Sequence, residues 1–358
     1  MQYSTTLQTP SAPVSNSIEP LLTALRSQNG AVLLACLLGL GVLSLLQGRR
    51  KGILATGRWA GRRERYRAQR KAQQQIRSRI PNQVALTTGL PSDQKAFPFA
   101  DMQRSMAVVG QPGVGKTYSI IDPMLISTLS QGFPLIVFDY KYPAQASRII
   151  PLAKSLGYSV NVFAPGFEES ARCNPLDLMS DANDVDMTRE IARVLHLNTQ
   201  RSDGTHSSDP FFTEAGEQAN VAALTLAKST PYPDLVMVHA ILSLPNLPER
   251  LKQATTLSLW AKLNFEQLAS LEDAEKTSAS IIGTASGTLT RMMSPATLDA
   301  FTGTTTLPLD LRGRQLIVLG MDQQRQTAIS PLIATVLHML VVRNMSLART
   351  LPLVVSLD

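Results

Sequence analysis

The sequence predicts an α/β fold: a doubly wound parallel sheet that is interrupted by a helical insertion and preceded by one membrane-spanning helix. Three observations lead to this prediction. A strand, a glycine-rich loop and a helix follow one another near residue 110, strand and helix patterns alternate before residue 178 and after residue 297, and residues 30–47 form an uncharged apolar run. Parallel strands joined by crossover helices form such a sheet and bind ligands at the carboxyl ends of the strands.

The apolar run at residues 30–47 is expected to cross a membrane. An 18-residue helix is about 27 Å long, close to the hydrocarbon thickness of about 30 Å. A basic cluster follows this run at residues 49–51, whereas a secretory signal peptide has its basic residues in front. Because excess positive charge stays cytoplasmic, the polar tail at 1–29 should lie outside and everything after Gly48 inside. A buried core helix is the alternative.

The positive charge of the chain is concentrated next to this run. The formal net charge is +7, yet residues 48–80 alone contain twelve Lys or Arg and one Glu, so the rest of the chain is mildly acidic. This basic segment is consistent with a topology signal that attracts anionic lipid, with a nucleic-acid contact, or with a plain linker. We favour the first interpretation.

The loop at residues 110–117 reads GQPGVGKT and follows an apolar run at 106–109, which we expect to be a buried strand. The backbone N–H groups of such a loop approach the anionic oxygens of a triphosphate, and glycines permit that approach. Gly110, Gly113 and Gly115 can adopt positive φ angles, which side chains disfavour. The pattern therefore predicts a nucleoside-triphosphate site.

The residues at the end of this loop have predicted chemical roles. A helix expected at residues 117–129 would direct its positive dipole end at the phosphates. Lys116 would contact the β and γ phosphates as the catalytic lysine, and the Thr117 hydroxyl would bind Mg²⁺, which takes oxygen ligands. We therefore expect ATP and Mg²⁺ as cofactors. The candidate nucleotide-binding residues are Gly110, Gln111, Pro112, Gly113, Val114, Gly115, Lys116, Thr117 and Tyr118.

Two more strand patterns follow at residues 134–139 and 159–163, with a helix at 144–156 between them. Asp139 and Lys141 lie where the first of these strands ends, at the ligand-binding edge of the predicted sheet. They could contact phosphate, Mg²⁺ or a neighbouring subunit. A structural ion pair is the alternative.

Helical patterns replace strands from about residue 178 to residue 297, which predicts an all-α insertion within the sheet. Helices are expected at 185–196, 210–228, 234–244, 247–263 and 277–293. A polar, glycine-containing stretch at 198–209 is expected to be a mobile loop. Strand and helix patterns then resume at 314–319 and 329–343.

The last strand pattern, at residues 353–357, is followed by Asp358. In P-loop enzymes a hydrophobic strand that ends in Asp supplies a carboxylate for Mg²⁺, so Asp358 is the second catalytic and metal-binding candidate beside Thr117. Because a strand that ends there would expose a sheet edge, we expect the sequence to be a fragment, truncated at this strand. The predicted segments are a polar tail (1–29), a transmembrane helix (30–47), a basic juxtamembrane segment (48–80), the first part of the P-loop domain (81–177), the all-α insertion (178–297) and the second part of the P-loop domain (298–358).

Cysteine and histidine usage excludes several other site classes. Cys36 lies in the predicted span and Cys173 in the cytoplasmic body, so the two cannot pair. The four histidines have no ligand-like spacing, and no nucleophile and base arrangement is visible. The sequence therefore indicates no metal other than Mg²⁺.

The ordered set of motifs resembles the TraG/TraD-like coupling proteins of conjugation and type IV secretion. The resemblance covers about residues 30–358. Tyr140 and Tyr142 depart from the family, which more often has Pro and Gly there, and many relatives have two spans. The matching motifs are the membrane anchor, GRWA at 57–60, the P-loop, FDYK at 138–141, CNPL at 173–176, DPFF at 209–212 and the final acidic strand.

This resemblance implies a RecA-like ATPase in the bacterial inner membrane, with a cytoplasmic body that assembles as a homo-hexamer. Such a motor passes single-stranded DNA with its relaxase, as part of a relaxosome, to a type IV secretion channel. Arg291 and Arg325 are then candidates for arginine fingers across a subunit boundary. Two other classes remain open: an FtsK-like pump for double-stranded DNA, and a membrane-tethered regulator that binds nucleotide without motor activity.

Overall fold

The computed structural model describes residues 32, 38–40, 58–80, 83–203, 210–270 and 274–357. The predicted tail, most of the predicted transmembrane helix and Asp358 lie outside the described residues. The chain divides into two compact units, Met1–Gly61 and Arg62–Asp358, and every element described below belongs to the second.

In the described part of this second unit a four-stranded parallel sheet forms the centre, which confirms the predicted α/β class. A two-stranded antiparallel pair, β1 (Leu86–Thr87) and β2 (Pro98–Phe99), precedes it. The parallel strands are β3 (Leu135–Asp139), β4 (Ser159–Phe163), β5 (Gln315–Gly320) and β6 (Val354–Leu357), in the spatial order β4, β5, β3, β6.

The two central strands are covered on both faces, which explains their nearly continuous apolar sequences. Side chains alternate across the sheet, so Leu135 and Val137 lie in one hydrophobic cluster, whereas Ile136 lies in another. In the register of the sheet, Asp139 lies beside Gly320 at the carboxyl ends of β3 and β5.

The strand predicted at residues 106–109 is not present. The structure assigns no strand there, and Val109 is 94% exposed. An apolar run becomes a buried strand only when a neighbouring strand satisfies its backbone hydrogen bonds. Among the described strands none pairs with this run, so its composition alone was a misleading signal.

Helices cover both faces of the sheet, and the described residues between β4 and β5 form a group of seven helices. One predicted helix, at 247–263, is two helices, because Ala254 is extended and Ser258 starts a new helix by accepting a hydrogen bond from the Ala261 N–H. The helices are α1 (Arg62–Ser78), α2 (Asp122–Gln131), α3 (Ala146–Ser155), α4 (Val185–Asp203), α5 (Pro210–Lys228), α6 (Leu235–Leu242), α7 (Leu247–Gln253), α8 (Leu259–Ala269), α9 (Glu275–Thr290), α10 (Pro295–Phe301) and α11 (Gln326–Met345).

Several other helix boundaries also differ from the prediction, for example those of α4 and α11. Helix α4 continues to Asp203, so part of the stretch predicted as a loop is helical. Helix α11 begins at Gln326, earlier than predicted. Helical ends depend on packing and capping as well as on periodicity, so the sequence predicts them less well than it predicts the helices themselves.

The hydrophobic core has one part on each face of the sheet. Helices α2 and α3 pack on one face with Leu129 and Ile149, whereas α11 and the inserted helices pack on the other with Val336 and Phe301. Within the described residues, one helical stretch, Gln323–Met345, is long and apolar enough to cross a membrane, and half of it is buried. Its apolar composition is explained by packing in the core.

Candidate nucleotide-binding site

The loop at residues 110–117 adopts a conformation that depends on its glycines. Gly113 and Gly115 have φ angles of +81° and +85°, in the left-handed region that favours glycine. A Cβ on Gly110 would lie 3.1 Å from Cγ2 of Val114, which is a tight contact. Gly113 and Gly115 therefore have the left-handed conformation that the motif predicts, whereas Gly110 is not at positive φ and is restricted only by this contact.

Lys116 lies over this loop. Its Nζ donates hydrogen bonds to the carbonyl oxygens of Gly110 (2.9 Å) and Gln111 (3.1 Å). These two bonds position the ammonium group above the backbone that would surround the phosphates. A lysine in this position can exchange a neutral carbonyl acceptor for an anionic oxygen, which forms the stronger hydrogen bond.

A single π-helical turn, Thr117–Ile121, connects the loop to α2. The Ser119 N–H donates to the Gly115 carbonyl oxygen at 2.8 Å, so the helical hydrogen bonding begins inside the loop. π-turns of this kind are frequent at functional sites. Tyr118 is 80% exposed, and its ring is accessible beside the loop.

A buried carboxylate joins this turn to the ligand-binding edge of the sheet. Asp122, the first residue of α2, accepts hydrogen bonds from Nε2 of Gln145 (2.9 Å) and Nε of Arg148 (2.7 Å). Both partners lie at the start of α3, just after the carboxyl end of β3. An acidic residue at a helix start is a recognisable sequence signal, but its partners Gln145 and Arg148 cannot be predicted from the local pattern.

Asp139 is the buried residue at the carboxyl end of β3. It is 3% exposed, and its Oδ2 accepts hydrogen bonds from the backbone N–H groups of Gln145 and Ala146, both at 2.8 Å. Its Oδ1 accepts from the N–H of Lys141 at 3.2 Å. The carboxylate thus caps α3, while the Lys141 side chain is exposed. Gln145 connects Asp139 to α2, because its backbone N–H donates to Asp139 and its side chain donates to Asp122.

Close packing at the end of β5 requires a glycine. A Cβ on Gly320 would lie 2.5 Å from Cγ of Tyr142 and 2.8 Å from Cβ of Ala164. The Tyr142 hydroxyl donates to Oε1 of Glu169 at 2.7 Å, and burial together with this carboxylate raises the pKa of Tyr142. Tyr142, which departs from the resembled family, therefore packs against the edge where the nucleotide is expected.

The remaining candidates are Arg325, Arg291 and Asp358. Arg325 forms an ion pair with Asp322 at 2.8 Å, three residues earlier. Arg291 follows the end of α9 and is exposed. Asp358 is outside the described residues, and within them no three acidic, His or Cys side chains form a metal-binding group.

No protein-family model matches this chain, and no curated protein does. The solved structures that it resembles include conjugative coupling proteins. The coupling protein TrwBdeltaN70 in a trigonal form with sulphate is 13% identical, with a TM-score of 0.46 and coverage of 67% of this chain. TrwB in complex with ADP and Mg²⁺ is 12% identical, with a TM-score of 0.44 and coverage of 69%. The chain spans 52% and 61% of the length of those two chains.

Proposed function

We propose that this chain is the ATP-binding part of an inner-membrane ATPase of the coupling-protein type, which drives transfer of DNA or nucleoprotein to a type IV secretion channel. ATP would bind at residues 110–118 with Mg²⁺. The observation that supports this proposal best is the loop itself. Its left-handed glycines, the inward-turned Lys116 and the helical turn that follows have the shape that a triphosphate requires.

The residues of the site fit a bound nucleotide and its metal ion. Backbone N–H groups of the loop would hold the phosphates, Lys116 would contact the β and γ phosphates, and the Thr117 hydroxyl would face Mg²⁺. Mg²⁺, when bound, neutralises charge on the phosphate oxygens. Asp358 would face the same ion from the end of β6. Asp139 and Lys141 would act indirectly, because Asp139 positions the start of α3 beside α2.

The proposed partners and arrangement follow from the motifs that resemble the family. We expect the P-loop domain to comprise residues 81–177 and 298–358, with the all-α insertion at 178–297 between them. Residues 30–47 would form a single transmembrane helix with the N-terminus outside, and the cytoplasmic body would form a homo-hexamer. The partners would be single-stranded DNA with its relaxase, the relaxosome and the secretion channel. Arg291 or Arg325 would lie at a boundary between subunits.

The first experiment measures Mg²⁺-dependent ATP binding by the full chain and by Lys116→Ala. Loss of a charge-assisted hydrogen bond to phosphate should weaken binding by about 10-fold to 100-fold, which corresponds to about 1.5–3 kcal/mol. Lys154→Ala is the matched control, because Lys154 is an exposed lysine in the last turn of α3. Equal affinity in wild type and Lys116→Ala would overturn the assignment of the site.

A second experiment tests motor activity by measuring ATP turnover by the complete cytoplasmic part of the protein with single-stranded DNA, with double-stranded DNA and without DNA. Stimulation by single-stranded DNA that disappears in Lys116→Ala supports the coupling-protein proposal. Stimulation by double-stranded DNA alone would indicate an FtsK-like pump. Tight ATP binding without any DNA-dependent turnover would leave a membrane-tethered regulator.

A further inference from the structure

Helix α1 has a continuous basic face. Successive residues of an α-helix are rotated by about 100°, since there are 3.6 residues per turn. On that geometry four arginines and Tyr66 lie within an arc of about 140°, and Arg77, in the last turn of the helix, lies within the same arc. All of these residues are exposed. We define the basic face of α1 as Arg62, Arg63, Arg67, Arg70 and Arg77, with Tyr66 among them.

The opposite side of α1 packs against the body. Ala72 and Gln75 are buried, and they point about 180° away from the centre of the basic face. Two hydrogen bonds hold this side in place, from Lys71 Nζ to Asp101 Oδ2 (2.6 Å) and from Gln75 Nε2 to Asp101 Oδ1 (2.7 Å). The Asp101 N–H donates in return to Gln75 Oε1 at 3.0 Å. The basic face is therefore fixed in orientation and directed away from the body.

The dimensions and charge of this face fit a flat anionic surface. From Arg62 to Arg77 the helix rises about 22 Å, and no acidic residue lies on the basic arc, since Glu64 is on the other side. Only residues 48–61 separate α1 from the uncharged run at 30–47, and this short stretch carries further basic residues. Trp59 in the same stretch is 98% exposed, and aromatic residues beside arginines are typical of the membrane interface.

We propose that the basic face of α1 docks on anionic phospholipid headgroups. The inference rests on the membrane position in the proposed function. The surface potential of an anionic leaflet attracts basic residues within about a Debye length of it, and five arginines on one rigid face approach that surface together. The hydrogen bonds between α1 and Asp101 would then orient the body relative to the lipid surface. Asp101 lies nine residues before Gly110, the first residue of the glycine-rich loop.

The test uses the full chain with one fluorescent reporter on the basic face. The chain contains two tryptophans, so Trp59→Phe and Trp260→Phe combined with Tyr66→Trp leave a single indole at position 66. The chain is reconstituted into vesicles of phosphatidylcholine alone or with about 30% phosphatidylglycerol, and acrylamide quenching is measured. We expect quenching to fall about twofold in the anionic vesicles and to recover in high salt.

Two sets of substitutions separate the basic face from general charge. Replacing the five arginines of the face by Gln should abolish the lipid dependence. The matched control removes five exposed positive charges from other places and should retain it; these are Lys154, Arg172, Arg189, Arg193 and Lys276, each replaced by Gln. If the first variant does not insert, the salt and lipid series on the reporter chain still decides the question.

Three results would contradict either the lipid-docking proposal or the predicted membrane span, and they can be told apart. Equal quenching in neutral and anionic vesicles would overturn the docking surface. If a single-stranded oligonucleotide protects the indole at position 66 from acrylamide in neutral vesicles and phosphatidylglycerol does not, the basic face binds nucleic acid. A chain that does not float with neutral vesicles would overturn the membrane span instead, and mixing that chain with anionic vesicles would still test the basic face.

Discussion

At the scale of single residues, the carboxylates near the predicted site bind backbone and side-chain donors of the body. Asp139 caps α3, and Asp122 connects α2 to the same helix. A strand-end aspartate is visible in sequence, and so is its expected position at the edge of the sheet. The hydrogen-bond partners of this aspartate cannot be predicted from the sequence, because they depend on where α3 begins in space.

The lowered pKa of Asp101 predicts that the packing of α1 against the body depends on pH. The hydrogen bond from Lys71, together with one from Gln75, lowers the pKa of Asp101 from 3.8 to about 2. A carboxyl group with a lowered pKa stabilises the fold above pH 3.8, and this contribution is lost as the pH falls toward about 2. Hydrogen exchange in α1 should therefore increase between pH 4 and pH 2, as a pulse-labelling series can measure.

The control for this prediction is Asp101→Asn. In this variant α1 should be less protected against hydrogen exchange at neutral pH, and its protection should not change further between pH 4 and pH 2. Helix α2 should stay protected throughout. Identical protection of α1 against hydrogen exchange in wild type and variant would show that the hydrogen bonds to Asp101 do not hold the helix in place.

At the scale of elements, helices α5 and α9 pack so closely that one position requires glycine. A Cβ on Gly216 would lie 2.9 Å from Cγ2 of Thr284, and the backbone N of Ala285 is 3.4 Å away. Thr284 is β-branched and has little rotamer freedom, so the helices must separate. The helical period predicts both helices, whereas the closeness of their contact is visible only in the structure.

Gly216→Ala should therefore destabilise the chain by about 1–3 kcal/mol through overpacking. Gly283→Ala is the matched control, because Gly283 is also helical and a Cβ there meets nothing within 4 Å. Alanine should stabilise that position by about 0.5–1 kcal/mol. Urea unfolding of the two variants measures both effects, and equal midpoints would contradict the packing argument.

At the scale of the whole molecule, the distribution of charge predicts the topology. The twelve basic residues at 48–80 should hold this segment and the body in the cytoplasm, with residues 1–29 outside. Protease added to spheroplasts should remove a tag placed before residue 2 and leave the body intact. In inverted vesicles the body should be cleaved.

Substitution of Arg49, Arg50 and Lys51 by Gln should increase the fraction of inverted chains. Equivalent substitutions of Lys154, Arg189 and Arg193, which are distant in sequence from the apolar run, should leave the topology unchanged. Cleavage of the wild-type body in intact spheroplasts would contradict the proposed orientation.

The sequence by itself determined the α/β class, the position of a group of helices between two strands and the left-handed conformation of Gly113 and Gly115 in the loop at 110–117. These features follow from local physics: side-chain period, glycine backbone freedom and the spacing of one short motif. The tertiary structure decided the rest. The apolar run at 106–109 has no strand partner among the described strands, and Asp139 binds the backbone of α3. Such outcomes depend on which groups meet across long sequence separations, and a local pattern contains no information about those contacts.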